Sequence, residues 1–335
     1  ILRMTLFRQD ALPVKYLGFS LITSRLTKRD CAPLMEKFLA RANSWTSKYL
    51  SYAGRLQLIK STLASMQVFW CTTFSLPAAV IKECEKVMRR FLWGGNGSSH
   101  KHSLVKWSIV CLPREGGLGI KSLKSRNKVL LLKKIWDLLN DHSLWVRWSS
   151  GSLSWSWGQI LHLRSLALNH LVYVCGKGDR FSLWFDPWFH GSSIYALYGH
   201  RVIYDKGMTN SGLAVIMNDQ WCWPTTSPDL LQIQHRFQDT PVTTSSDCIF
   251  WESVGQTFLT KRAWDSIRTL APSIEWAKLV WHPAGISKHA FCLWLAILGP
   301  HRTLDKLSLL GIAPSACCVF NCGDNENEDH LFFAC

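Results

Sequence analysis

FSLPAAVIKECEKVMRRFLWGG, residues 74–95, decides how this chain is read. Val80, Ile81, Cys84, Val87, Met88, Phe91 and Leu92 recur three and four residues apart, the spacing at which one face of an α-helix repeats. Pro77 has no amide proton to satisfy and a φ already near the helical value, so it can open this helix. The glycine-rich GGNGSSHKH, residues 94–102, ends it. A face this broad needs other helices to pack against.

The preceding sequence supplies them. Asp30 can cap a helix with Pro33 in its opening turn and Leu34, Phe38, Leu39, Ala42 and Trp45 on one side. Ser51 can cap another, with Leu56, Ile59, Leu63 and Met66 at helical spacing. The expectation is a compact antiparallel helical unit that leaves Lys48, Arg55, Lys60, Arg89 and Arg90 outside. A further helix over 122–140 places Leu123, Leu130, Leu131, Ile135 and Leu138 inside and Lys124, Arg126, Lys128, Lys133 and Lys134 outside.

Elsewhere the signals are weaker. Residues 1–30 look extended around Tyr16. From 141 the texture turns to Trp, Ser and Gly, and VCGKGDRFSLWFDPW (174–188) reads as a hairpin or strand pair turning at 176–179. Residues 205–247 are polar and irregular, with one short helical candidate at 229–237. Helices resume near 257–270, Ser287–Leu298 and 303–310. The fold class is therefore mainly α: a helical unit preceded by a short β segment, a mixed irregular middle with a β hairpin, and a small helical C-terminal domain.

At 335 residues, 47% hydrophobic and 18% charged, the chain is globular and long enough for two or three domains. Its 18 tryptophans are spread along the sequence, and those at 45, 70, 93, 107 and 136 sit beside aliphatics as core residues do, rather than as stacking platforms. Of 12 cysteines, Cys31, Cys71, Cys84, Cys111 and Cys292 stand singly in apolar surroundings, as buried free thiols do, which favours a reducing, intracellular setting. Residues 62–81 carry no charge, yet five hydroxyl residues, Gln67 and Pro77 make them a buried helix, a loop and the next helix; no membrane span is expected. Residues 1–135 hold 24 Lys and Arg against 6 Asp and Glu; residues 136–335 hold 14 against 17. All the excess positive charge lies in the first part, where it suggests a polyanionic partner, the alternative being a solvated basic surface on an ordinary domain.

The chain ends on CCVFNCGDNENEDHLFFAC, residues 317–335. Zinc takes four thiolate or imidazole ligands at tetrahedral angles, usually as two closely spaced pairs. Cys318 and Cys322, three residues apart in between, supply one pair; His330 and Cys335 supply the other. The intervening GDNENED is polar and turn-prone, and LFF gives the closing segment an apolar side. Cys317 is an alternative first ligand. Four protein ligands leave no open position, so this zinc-knuckle-like motif holds a fold and does no chemistry.

LPVKYLGFSL, SWTSKYLSYAGRLQLIKSTL, FSLPAAVIKECEKVMRRFLWGG and VCLPREGGLGIKSLKSRNKVLLLKK follow one another in this order. They resemble the region C-terminal to the polymerase palm in plant LINE-type (non-LTR) retrotransposon reverse transcriptases. GKGDRFSLWFDPW is similar to a later segment of that family, and DCIFWESVGQTFLTKRAWDSI, CLWLAILGPHRTLDKLSLLGI and the cysteine cluster resemble its zinc-binding domain. The resemblance implies the end of the palm at 1–30, a basic helical thumb and connection region at 31–140, a Trp-rich mixed linker at 141–250 and the zinc-binding domain at 251–335. It implies a structural zinc on Cys318, Cys322, His330 and Cys335, with three residues in the first pair where the family has two. It also implies template–primer contacts through phosphates from Lys48, Arg55, Lys60, Arg89, Arg90, Lys124, Arg126 and Lys128.

The polymerising site of such enzymes uses an aromatic-x-Asp-Asp turn, and this sequence has no Asp-Asp pair. The expectation is a non-catalytic fragment that binds RNA or DNA in the nucleus, with no membrane and no small-molecule substrate. The rivals are a zinc-stabilised interaction module and a decayed element. Other candidates for chemistry are thin. REGGLGIK lacks the Gly-Lys-Ser/Thr ending of a P-loop and reads as a turn before a helix; Asp186 reads as a turn or cap residue; His100 and His102 have no third ligand nearby.

Overall fold

The computed structural model describes residues 14–16, 19–21, 24–45, 50–94, 103–113, 115–140, 155–188, 191–199, 215–217, 220–223, 228–237, 242, 244–268 and 270–335. It is mainly helical. Its contacts divide the chain into two units: residues 1–127 with 269–335, and residues 128–268.

In the first unit the short β segment is an antiparallel pair, β1 (Val14–Tyr16) on β2 (Phe19–Leu21), with Val14 opposite Leu21. Helix α1 (Ala32–Ser44) buries Leu34, Phe38 and Ala42. Its expected cap is not used: Cys31 holds the capping position, and the Asp30 carboxylate accepts from the Thr27 amide (2.7 Å) and hydroxyl (2.6 Å). Helix α2 (Tyr52–Leu58) begins as the sequence predicts, the Ser51 hydroxyl accepting from the Gly54 amide at 3.2 Å. It widens into a π-helical segment, Ile59–Leu63. Helix α3 (Val68–Thr73) and, after a loop, α4 (Ala78–Trp93) complete the run, so residues 62–81 do form helix, loop and helix. Among the described residues no helix is long and apolar enough to cross a membrane.

The α3–α4 connection is held from the side by Asn127 on α5 (Leu123–Leu139). This side chain is 4% exposed; it donates to the Cys71 and Phe74 carbonyls (2.9 and 2.8 Å) and accepts from the Leu76 amide (3.0 Å). Every polar atom it offers there has a backbone partner, which is what makes a buried amide tolerable. Asn127→Leu, similar in volume but without polar atoms, strands three backbone groups. We expect a loss of about 3 kcal/mol, read as a shifted urea midpoint at unchanged slope; a shift equivalent to less than about 0.5 kcal/mol contradicts this role.

The last segment of the chain belongs to this same unit. Helix α6 (Ser287–Leu298) buries Phe291 and Trp294. Phe291 stacks on Tyr52 of α2 (5.3 Å between ring centroids, 12°) and Trp294 on Trp93 of α4 (6.5 Å, 13°). The Trp294 indole donates to the Gly116 carbonyl at 2.7 Å. The glycines of the 115–121 loop thus serve packing. A Cβ at Gly117 would sit 2.1 Å from the Ile109 and Leu112 carbonyl oxygens, and Gly116 holds a left-handed φ of 89°. The Gly117 and Gly119 amides go to the Pro113 and Leu112 carbonyls (3.3 and 2.8 Å), so the loop is a turn, as expected. Trp70, Trp93 and Trp107 are buried core residues, and burial pushes the Cys31 thiol up to about 11 and those of Cys71 and Cys84 to about 12. Cys292, expected inside, is exposed.

The second unit corrects the hairpin expected at 174–188. Strand β3 (Leu171–Val174) pairs antiparallel with β4 (Cys248–Trp251), Leu171 opposite Trp251 and Val174 opposite Cys248. The turn after β3 does not fold back because its amides are engaged elsewhere. Gly176 and Gly178 donate to one oxygen of Asp247 (2.7 and 3.0 Å), and Arg180 and Phe181 to the other (2.9 and 3.0 Å). Asp247 is wholly buried. Asp179 answers it, accepting from the Asp247 amide (3.1 Å) and the Ser246 hydroxyl (2.9 Å). A local hairpin does occur in the middle of the chain, Ile216–Met217 against Gln220–Trp221. Residues 141–250, read as a mixed linker, contribute Ile160, Trp184, Trp188, Trp223, Leu230 and Ile233 to a core that also takes Leu131, Ile135, Trp251, Phe258 and Trp264.

Candidate metal centre

Cys318, Cys322, His330 and Cys335 converge, with their donor atoms all within 4.8 Å of one another. Cys318 Sγ lies 3.6 Å from Cys335 Sγ, and Cys322 Sγ lies 3.1 Å from His330 Nε2. Tetrahedral zinc, with bonds of about 2.3 Å to sulfur and about 2.0 Å to nitrogen, needs neighbouring donors about 3.5–3.8 Å apart. The donor set fits zinc, each residue supplying one ligand; the Cys318–Cys335 separation matches that spacing, the Cys322–His330 one is shorter, and the remaining donors lie within 4.8 Å.

The first pair closes despite its third intervening residue. The Phe320 amide donates to Cys318 Sγ (3.4 Å) and the Asn321 amide to the Cys318 carbonyl (3.1 Å). Asn321 absorbs the extra length with a left-handed φ of 54°, a conformation Asn tolerates better than most residues. The second pair is joined by a π-helical turn, His330–Ala334. In an α-helix a residue five positions on lies about 140° away around the axis; the wider π turn brings Cys335 back over His330. Cys318 and His330 are 4% and 5% exposed, whereas Cys317 is exposed and pairs through its backbone with Asn325. Of the two possible first ligands, Cys318 is the one in the cluster. The Phe320 amide, with help from His330 and the neighbouring thiols, holds the Cys318 thiol down to about 7; the opposing Cys335 is pushed up to about 11 by the Cys318 sulfur beside it. A thiol so lowered offers zinc its thiolate readily.

The loop between the pairs does more than its polarity reveals. Asn327 Oδ1 accepts from the His330 amide (2.7 Å), Glu326 accepts from the Leu304 amide (3.2 Å), and Glu328 pairs with Lys306. Lys306 also donates to the Gly299 carbonyl at the end of α6 (2.7 Å). The acids of GDNENED thus anchor the metal loop to the preceding helices. LFF behaves differently from expectation: Phe332 approaches His301 (5.2 Å), but Leu331, Phe332 and Phe333 are all exposed.

The basic residues divide into two groups. Arg55 is 7% exposed and donates to the Leu92 and Gly94 carbonyls (3.4 and 2.5 Å), finishing α4. Arg126 donates to the Ala64 carbonyl at 2.6 Å. Arg89 lies half-buried over the Trp107 ring (5.7 Å). Lys60, Arg90, Lys124 and Lys128 are exposed, the last two one turn apart on α5. Lys48, Arg114, His100 and His102 lie outside the described residues. Asp186 accepts from the Ser182 amide (2.7 Å), a turn role as expected.

Residues 258–335 match the family described as zinc-binding in reverse transcriptase. The match begins in the second unit and ends in the first. The chain is 34% identical over 196 residues to an Arabidopsis thaliana protein provisionally named a ribonuclease H protein, covering 52% of this chain and 32% of that protein. It is 27% identical over 142 residues to an uncharacterized mitochondrial protein of the same plant, covering 37% of this chain and 92% of that protein. The chain thus spans about a third of the first relative's length and most of the second's.

Proposed function

We propose, from the premise that the C-terminal region carries a reverse-transcriptase zinc-binding domain, that this chain is the nucleic-acid-holding part of a LINE-type retrotransposon reverse transcriptase. Its basic helices hold the backbone of a template–primer duplex, and zinc on Cys318, Cys322, His330 and Cys335 keeps the C-terminal segment folded. In this reading residues 1–30 close the palm, 31–140 are thumb and connection, 141–250 join them to the zinc-binding domain at 251–335, and the work is done in the nucleus. The chain itself does not polymerise, having no Asp-Asp pair to position catalytic metals.

One observation carries the reading. Within one compact unit, residues 1–127 hold 21 Lys and Arg against 6 Asp and Glu, whereas residues 269–335 hold 4 against 6. The positive charge is confined to the helical segment, and Lys60, Arg90, Lys124 and Lys128 are exposed there and just beyond it. Such side chains neutralise phosphates without reading bases. A second reading, a zinc-stabilised interaction module, has the largely exposed Leu309, Leu310, Phe320 and Phe333 in its favour.

A titration of the zinc-loaded chain with an RNA–DNA duplex at several salt concentrations separates the two. Four phosphate contacts give a log–log slope of about −3 to −4, and Lys124→Glu with Lys128→Glu reduces it by about two. Absence of binding at low salt, or binding indifferent to salt, overturns the nucleic-acid reading and leaves the interaction module.

A further inference from the structure

We propose that the metal-closed segment 317–335 is a protein-docking surface, apolar with an acidic margin, whose partner is an amphipathic helix with lysines or arginines flanking its apolar face. The proposal rests on the metal-held fold of this segment and leaves nucleic acid to the basic helices.

Among the described residues, thirteen of the twenty-one exposed large apolar side chains lie in residues 270–335. Single exposed hydrophobes are ordinary on any surface, whereas a group of them marks an interface. At the metal centre the ligands themselves bring such a group together. Val319 and Phe320 follow Cys318, whose sulfur accepts from the Phe320 amide (3.4 Å) and lies 3.6 Å from the Cys335 sulfur. Leu331, Phe332 and Phe333 form the turn between the ligands His330 and Cys335, with the last two rings 6.3 Å apart. Phe320 and Phe333 are 79% and 75% exposed. A segment this short, closed on four ligands, has no interior left for them. Together these five side chains expose on the order of 500 Å² of apolar surface, taking about 200 Å² for a whole phenylalanine. That is as much as a monomer ordinarily leaves uncovered in its largest patch.

Charge selects the occupant. Residues 317–335 contain four acids and no Lys or Arg. Glu326 and Glu328 are committed to the Leu304 amide and to Lys306, while Asp324 and Asp329 are exposed. Both aspartates adjoin the apolar group. The Asp324 carbonyl accepts from the Cys318 amide (2.9 Å), next to Val319, and Asp329 immediately precedes the turn that carries Leu331 to Phe333. From the preceding segment, the His301 ring approaches Phe332 and Arg302 is exposed beside it in sequence, yet residues 299–335 still hold two cations against five acids. Base stacking on these rings would bring phosphates to a surface that carries carboxylates and lacks lysines, which disfavours nucleic acid. A second copy in a twofold contact would set like carboxylates against each other. The Cys317–Asn325 bridge is isolated, so no sheet edge is offered to an added strand. A helix whose leucines cover the phenylalanines and whose cations meet Asp324 and Asp329 satisfies both features at once.

The test uses the zinc-loaded full chain and a fluorescein-labelled helical peptide of about 18 residues, leucine on one face and lysine elsewhere. Its controls are the same peptide with glutamate for lysine and a scrambled leucine–lysine peptide. The amphipathic lysine peptide is expected to bind about tenfold more tightly than either control. Phe320→Ser with Phe333→Ser, which spares all four ligands, is expected to weaken it about tenfold at unchanged zinc content. Asp324→Lys with Asp329→Lys is expected to abolish the preference for lysine over glutamate, and this pair decides the matter if the serine pair loses zinc. No binding, equal binding of the three peptides, or undiminished binding by the variants overturns the proposal. A wild-type dimer that the serine pair makes monomeric assigns the face to a second copy, and loss of RNA–DNA duplex binding in that pair assigns it to nucleic acid; either result overturns the helix as occupant. None of these failures alters the salt-dependent duplex titration of the wild-type chain, on which the nucleic-acid reading stands separately.

Discussion

Chelation of zinc from the zinc-loaded full chain is expected to unfold its last nineteen residues and to loosen the helix that leads into them. Residues 317–335 contain little that could hold them otherwise: Cys318 and His330 are the buried members of the segment, while Val319, Phe320, Leu331 and Phe333 are exposed. Metal binding contributes about 10 kcal/mol in sites of this composition, more than the whole stability of many domains. Cys318→Ser and His330→Ala are expected to abolish stoichiometric zinc. Cys317→Ser keeps one zinc per chain, because that thiol stands outside the cluster. Loss of the Lys306–Glu328 clamp then raises amide exchange toward the end of α6, whereas the β3–β4 pair keeps its protection. Zinc content by elemental analysis and hydrogen exchange with and without chelator read these outcomes. Equal zinc content in the Cys317 and Cys318 variants contradicts the ligand assignment.

Asp247→Ala is expected to cost the second unit about 4 kcal/mol or more and to leave β3 and β4 unpaired. The reason is a count of orphaned donors. Four amides lose their acceptor at a position with no solvent exposure, and the charge-assisted bonds that joined segments some 70 residues apart disappear together. Asp247→Asn discriminates between shape and acceptor strength. Its single carbonyl oxygen serves two amides, and its NH2 group confronts the other two, so most of the loss should persist in an isosteric residue. Denaturant unfolding followed by tryptophan fluorescence suits this unit, whose core holds Trp184, Trp188, Trp223, Trp251 and Trp264. Wild-type stability in Asp247→Ala would show that the turn holds itself.

The pattern of what the sequence discloses follows from contact range. Helices α1, α2, α4 and α5 are legible because their signals lie within one or two turns: apolar spacing, a serine cap, a proline at the start. The metal centre is legible because all four ligands fall within eighteen residues. What escapes is non-local or geometric. Nothing near Leu171–Val174 announces a partner strand at Cys248–Trp251, and the turn-prone Gly-Lys-Gly-Asp invites a hairpin unless Asp247 is known to occupy its amides. Arg55 and Arg126 count as surface charge in any local reading, yet the carbonyls they serve are 37 to 62 residues away. The π turn at His330–Ala334 has no sequence signature here beyond the need for two ligands five residues apart to meet.

Those two arginines also refine the electrostatic account. A guanidinium engaged with the end of α4 or with the Ala64 carbonyl positions helices, so the proposed phosphate contacts fall to the exposed Lys60, Arg90, Lys124 and Lys128. Counting basic residues overstates the site; counting exposed ones sets its size.

Hydrogen exchange of the zinc-loaded chain, with and without a primed RNA template, decides whether the basic helices hold nucleic acid. Added protection is expected on Tyr52–Leu58, Ala78–Trp93 and the first turns of Leu123–Leu139. That protection should fade as salt rises. Protection confined to residues 269–335, or absent throughout at low salt, contradicts the claim that the basic helices hold the nucleic acid.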